Sequence, residues 1–162
     1  MMSTETRTDV EGKRQSETET GAWMSAVLAG LAGGVVMGVI LTVLNPAGLT
    51  VAIPSLYGLE GGIAGWVIHL SNSAILGVVF AAIVLTTPLR TYANSVAAST
   101  GLGATYGVLS WIVTGSIVLP LWLQAVGSPA AMPVPTFAIP SLLWHLAYGI
   151  VLGAVFAFVE NR

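Results

Sequence analysis

The chain has 162 residues, of which 55% are hydrophobic and 7% charged, with a mean hydropathy of +0.87 and a net charge of −2. Soluble domains carry about 25% charged residues, so this composition excludes an ordinary soluble protein and indicates an integral membrane protein. The absence of cysteine excludes disulfides, thiolate metal sites and cysteine nucleophiles, and the lack of a basic run speaks against nucleic acid as a partner.

Eight of the twelve charged residues fall between Glu5 and Glu19. Residues 1–20 are polar, mixed in charge and without apolar periodicity, and read as a disordered tail. Excess acid and the length of the following apolar run distinguish this segment from a cleaved signal peptide. A membrane span needs about 20 mostly apolar residues. Four stretches qualify: Ala22 to Leu44, Gly62 to Leu85, Asn94 to Val118 and Ile139 to Val159. The expected fold class is all-α, a polytopic membrane protein of four transmembrane helices arranged as two tandem hairpins, the first over about 22–87 and the second over about 94–160.

The second connection, "TTPLRTYAN", is short and polar, and Pro88 stops the helix before it. The first and third connections, "NPAGLTVAIPSLYGLEG" and "LPLWLQAVGSPAAMPVPTFAIP", are apolar yet broken by prolines. They suit either a lid over a cavity or loops resting on the headgroups. All five basic residues (Arg7, Lys13, Arg14, Arg90 and Arg162) lie on one side of a four-span arrangement. The positive-inside rule then puts both termini in the cytoplasm and the protein in the plasma membrane.

The two histidines head a repeated string. "HLSNSAILGVVFA" from His69 and "HLAYGIVLGAVFA" from His145 are identical at seven of thirteen positions. An even number of crossings separates the copies, so they insert the same way up, as parallel repeats do. Spacing of four places Gly30, Gly34 and Gly38 on one face of the first helix and Gly103 and Gly107 on one face of the third. His69 and Gly77 share a face of the second helix, as do His145, Gly149 and Gly153 on the fourth. Such small-residue stripes let helix backbones approach in lipid, where hydrophobicity drives no association.

The last helix, "WHLAYGIVLGAVFAF", together with the second helix and the Gly-rich first, resembles a family of small uncharacterised four-helix membrane proteins of archaea and bacteria. The resemblance implies the four-helix fold and no established activity. Some members carry a histidine-kinase label, but this sequence has no Gly-rich phosphate loop, no ATP-binding signature and no soluble catalytic domain.

Ionisable side chains within spans are functional candidates, so His69 and His145 carry the site hypotheses. The leading expectation is a non-enzymatic structural or interaction module, with no cofactor, in which the histidines brace helix contacts. The alternatives are binding of a haem or metal by His69 and His145, and a small-solute channel or carrier beneath the distal loops. No catalytic residue is assigned. Glu60 reads as an interfacial carboxylate or a cation-attracting group, and Tyr106, Ser110 and Thr114 as packing groups. The expected partners are the bilayer and, through Gly30, Gly34 and Gly38, a second copy or a larger membrane complex.

Overall fold

The computed structural model describes residues 4–160, with side chains from residue 21 onward. Residues 4–20, whose composition reads as a disordered tail, run as helix continuous with the first span, and residues 1–3 lie outside the described residues. The protein is all-α, and four of its helical segments are long and apolar enough to cross a membrane: Gly21–Leu44, Gly62–Thr86, Val96–Ala125 and Ile139–Glu160. The first belongs to α1 (Thr4–Leu44), the second is α3 (Gly62–Thr86) and the fourth is α7 (Ile139–Glu160). The third is a continuous run of α5 (Val96–Ser110), a π-helical segment π2 (Trp111–Val118) and α6 (Leu119–Ala125). Large apolar side chains face outward, as lipid requires: Ile63 is 86% exposed and Val43 is 73% exposed.

Helix ends follow local chemistry. Pro88 forces the preceding Thr87 into an extended conformation (φ −121°, ψ 171°), which ends α3 at Thr86. The turn continues through the short α4 (Arg90–Ala93), and the Ser95 hydroxyl caps α5 by accepting from Ala98 N at 3.4 Å.

The third span departs from expectation, since "LPLWLQA" forms helix rather than loop. Proline at position 120 has no N–H for the Ser116 carbonyl, and its ring would crowd that oxygen in a regular α-helix. The preceding π segment widens the turn: Leu119 N–H reaches back five residues to Thr114 O. The freed Ser116 carbonyl instead accepts from Thr136 N at 2.9 Å, on the returning chain. The first connection solves the same problem in the same way. The π segment π1 (Gly48–Ala52) precedes Pro54 at the second position of the single-turn α2 (Ile53–Ser55). The Thr50 carbonyl, left free by Pro54, accepts from Gly61 N at 3.0 Å. Gly61 sits at φ +88°, a conformation that glycine adopts without strain, and this lets the chain turn into α3.

Each hairpin closes on glycines. A Cβ at Gly30 would lie 2.5 Å from Ser73 O and 3.0 Å from Gly77 Cα, so α1 and α3 meet backbone to backbone. At the α5–α7 contact a Cβ at Gly103 would overlap the Gly149 carbonyl and lie 2.9 Å from Gly153 Cα. Gly34 faces the Ser73 side chain, Gly107 faces the His145 carbonyl, and Gly38 takes the edge of Trp66. The hairpins join through α1 and α7, where Gly33 accommodates Tyr148. Spatially the order is therefore α3, α1, α7, α5.

Between α3 and α5 the backbones stay apart, and side chains fill the half of the gap nearer the termini. Phe80 packs edge-on against both Tyr106 (5.3 Å) and Phe156 (5.6 Å), above a core containing Val84, Leu152 and Ala157. Polar side chains cross between helices mostly to carbonyls, with Trp111 Nε1 donating to Ser141 Oγ (2.8 Å) between the third span and α7 as the side-chain exception. Ser99 Oγ donates to Gly153 O (2.8 Å), Tyr106 OH to Leu76 O (2.8 Å) and Tyr148 OH to Ser73 O (2.8 Å). Such bonds contribute about 0.6 kcal/mol each on average in a membrane.

Candidate binding chamber

Above the aromatic layer, toward the end that carries the two long connections, the gap between α3 and the third span opens into a cavity of about 700 Å³. Tyr148 forms part of its floor, held by the bond to Ser73 O. His69 and Asn72 line it from α3, Thr114 and Gly115 from π2, and Ser141 and His145 from α7. Both π segments contribute to the wall, and π turns recur at functional sites.

The distal connections roof this space. Their Ser55 and Ser128 hydroxyls meet at 2.6 Å, and Ala52 and Leu56 pack with Leu123, Ala130 and Met132. Tyr57 and Trp122 pack with their rings tilted by 58° and their centroids 5.3 Å apart. Thr136 N and the Ser116 carbonyl pin the third connection, and Gln124 Nε2 donates to Met132 O at 2.7 Å. The first connection lies tight on α3 because Gly65 has no side chain; a Cβ there would overlap the Leu49 carbonyl. Of the two behaviours open to these apolar loops, they adopt the one that covers a cavity.

The two histidines share the chamber but differ in their bonds. His69 is 5% exposed, and its Nε2 lies 2.9 Å from Gly34 O on α1. A carbonyl only accepts, so Nε2 carries the proton of the neutral ring, and Nδ1 is left with its lone pair. Trp66 packs edge-on against this ring at 6.2 Å. His145 is half-buried, and its Nδ1 lies 2.8 Å from Ser141 O within its own helix. By the same argument Nδ1 is the donor and Nε2 the bare acceptor. His69 therefore braces one helix against another, whereas His145 does not cross to a neighbour.

Gly115 gives the His145 ring its room: a Cβ at that position would stand 3.1 Å from both Cε1 and Nε2. Among the described residues no buried side-chain nitrogen or oxygen lacks a partner, and none makes a hydrogen bond to His145 Nε2. That atom therefore retains accessible surface, which it presents to the chamber it lines.

The chamber-lining residues include no Asp, Glu, Lys or Arg. Glu60 is exposed and lies outside the chamber. No group of three or more His, Cys, Asp or Glu side chains able to hold a metal ion occurs among the described residues, so the histidine pair alone would have to serve any such ion. Gly30, Gly34 and Gly38 all face α3 and are occupied within the chain. Ser110 and Thr114, read from sequence as packing groups, line the chamber, whereas Tyr106 belongs to the aromatic layer.

Sequence reasoning missed Asn72, Gly115 and Ser141. Asn72 did carry a signal, as a side-chain amide near the middle of an apolar span. Gly115 and Ser141 carried none, because their importance lies in what stands opposite them.

Comparison with protein-family models, with curated proteins and with solved structures returned no match.

Proposed function

We propose that this chain is a non-enzymatic binding module of the plasma membrane, built from two repeated helix hairpins, that holds a small molecule in the chamber beneath its distal connections. Both termini lie in the cytoplasm in this reading, which rests on the placement of the five basic residues. The repeat is supported by matching contacts. A Cβ at Gly77 would meet the Ala26 carbonyl, and one at Gly153 would meet the Ser99 carbonyl; Gly30 faces Gly77 as Gly103 faces Gly153. The glycine stripes act as zippers inside each hairpin.

The observation that carries the proposal is the closed roof. The two distal connections bond to each other over a cavity of about 700 Å³ that both histidines line. That volume lies within the range of small-molecule sites, and such sites form between helices of bundles. A purely structural module gains nothing from holding two spans apart and roofing the gap, because dispersion contacts are what bind helices in lipid.

The test is extraction. The full chain is purified in mild detergent beside the double variant Asn72→Trp, Thr114→Trp, which crowds the chamber from two walls. Organic extracts of the two are compared by mass spectrometry. A compound enriched with the parent and lost from the variant is expected; identical extracts overturn the proposal.

A haem held between His69 and His145 is a second reading, favoured by the two unshared ring nitrogens lining one chamber. The small-residue contacts lie within α1–α3 and α5–α7, so they do not force together the two helices that carry the histidines. A b-type spectrum that disappears in both His69→Ala and His145→Ala establishes this reading. A featureless spectrum after expression with haem supplied removes it.

A further inference from the structure

We infer that the chamber takes an uncharged, lipid-dissolved molecule with a hydroxyl head, which donates to His145 Nε2 and arrives sideways from the bilayer between α3 and the third span. The inference rests on the binding reading above and specifies its ligand.

Charge is the first discriminator. No side chain lining the chamber is Asp, Glu, Lys or Arg, so an ionic ligand would sit at membrane depth without a counter-charge.

The direction of hydrogen bonding is the second. Four wall hydroxyls already give their protons to carbonyls: Ser73 to His69 O (2.8 Å), Thr114 to Ser110 O (2.6 Å), Ser141 to Ala138 O (2.6 Å) and Tyr148 to Ser73 O (2.8 Å). Both imidazoles likewise give their N–H to a carbonyl. What these six groups leave for a guest is lone pairs. His145 Nε2 is one that no group among the described residues uses, and Gly115 leaves the space beside it clear of a side chain. The Asn72 amide can serve a guest as donor or acceptor, but a guest that bonds His145 Nε2 must bring a donor, and an uncharged donor on a lipid-soluble body is a hydroxyl or phenol.

The route is the third. The roof is shut by the Ser55–Ser128 contact and by the bond from Thr136 N to Ser116 O, whereas α3 and the third span do not close against each other at this level. Ile75 on α3 and Val118 on π2 both line the chamber and are 60% and 43% exposed. Two apolar, exposed residues on facing spans make a lateral mouth that opens on hydrocarbon.

The experiment uses the full chain in phosphatidylcholine nanodiscs, with empty nanodiscs as background, and two probes: 4-nonylphenol and its methyl ether, 4-nonylanisole. They share a body and differ by one donor. Phenol binding about tenfold tighter than anisole binding is expected, the size of one neutral hydrogen bond. His145→Phe should bring that ratio close to one, and a helical circular dichroism spectrum matching the parent's reports that the variant is folded. If His145→Phe loses both probes, Gly115→Ala supplies the second reading, because its methyl presses on Nε2 and should lower the ratio of phenol to anisole binding.

Equal binding of both probes by the parent overturns the donor inference and leaves the binding reading standing. Retention above empty nanodiscs of neither probe overturns both. A preference that persists in either folded variant overturns the role of His145. For the route, an oxidised Ser55→Cys, Ser128→Cys chain, with its roof locked, should take up the phenol at the parent's rate; uptake slowed tenfold or more would place the path through the roof.

Discussion

Two glycines two residues apart on α5 allow the packing argument to be tested against its own control. Gly101 faces outward, and a Cβ added there meets nothing within 4 Å. Gly103 faces α7, where a Cβ would overlap the Gly149 carbonyl and stand 2.8 Å from Gly153 N and 2.9 Å from Gly153 Cα. Glycine to alanine in a helix interior gains about 1 kcal/mol from backbone propensity, and both variants receive that gain. At Gly103 the methyl must also reach an ordinary separation of roughly 3.5 Å from three backbone atoms, all of which belong to a helix and cannot rotate away. Overpacking of this kind costs about 1–3 kcal/mol. Moving α5 off α7 also stretches the bond from Ser99 Oγ to Gly153 O, now 2.8 Å, which is worth about 0.6 kcal/mol and at most about 1.7. Gly101→Ala should therefore be stabilised by up to about 1 kcal/mol. Gly103→Ala should be destabilised by roughly 1–4 kcal/mol, from overpacking and the lost bond less the propensity gain. The assay is equilibrium unfolding in mixed micelles of rising dodecyl sulfate content, followed by tryptophan fluorescence. Free energies for the two variants within about 0.5 kcal/mol of each other, the scatter of ordinary surface substitutions, would refute the close α5–α7 contact.

The histidines should separate in the same assay. His69→Phe breaks a bond between α1 and α3 and should cost about 0.6–1.7 kcal/mol, while His145→Phe breaks one within α7 and should cost less; equal losses would contradict the distinct roles. Ser55→Cys, Ser128→Cys introduces the chain's only thiols at hydroxyls 2.6 Å apart, so mild oxidation should consume both in the native protein and neither when it is first unfolded in dodecyl sulfate. Thiols that stay free in the native state would show that the roof does not close. For orientation, Glu60→Cys should react with a membrane-impermeant maleimide on intact cells and Arg90→Cys only after permeabilisation; the reverse pattern would invert the topology.

The membrane class, the four spans and the faces on which the glycines lie are properties of composition, run length and helical periodicity, and all of these are local. They were legible residue by residue. The start of each of the four spans is displaced by no more than two residues from the one expected, and the ends of the first, second and fourth by no more than one. The end of the third was misplaced because Pro120 reads as a helix stop. Its cost is removed by a π turn and by Thr136, whose N–H satisfies the freed Ser116 carbonyl from the far side of the connection. No local rule supplies that partner.

The chamber was hidden for the same reason. Its walls come from α1, α3, the third span, α7 and both distal connections, and its depth depends on α1 pairing with α7 so that α3 and the third span are held apart. Sequence by itself identified His69 and His145 as the residues to watch, because two matched imidazoles in apolar helices are conspicuous in one dimension. Only the tertiary structure decided that one gives its proton to a neighbouring helix and the other to its own, since a histidine's free nitrogen is set by whichever carbonyl stands within reach.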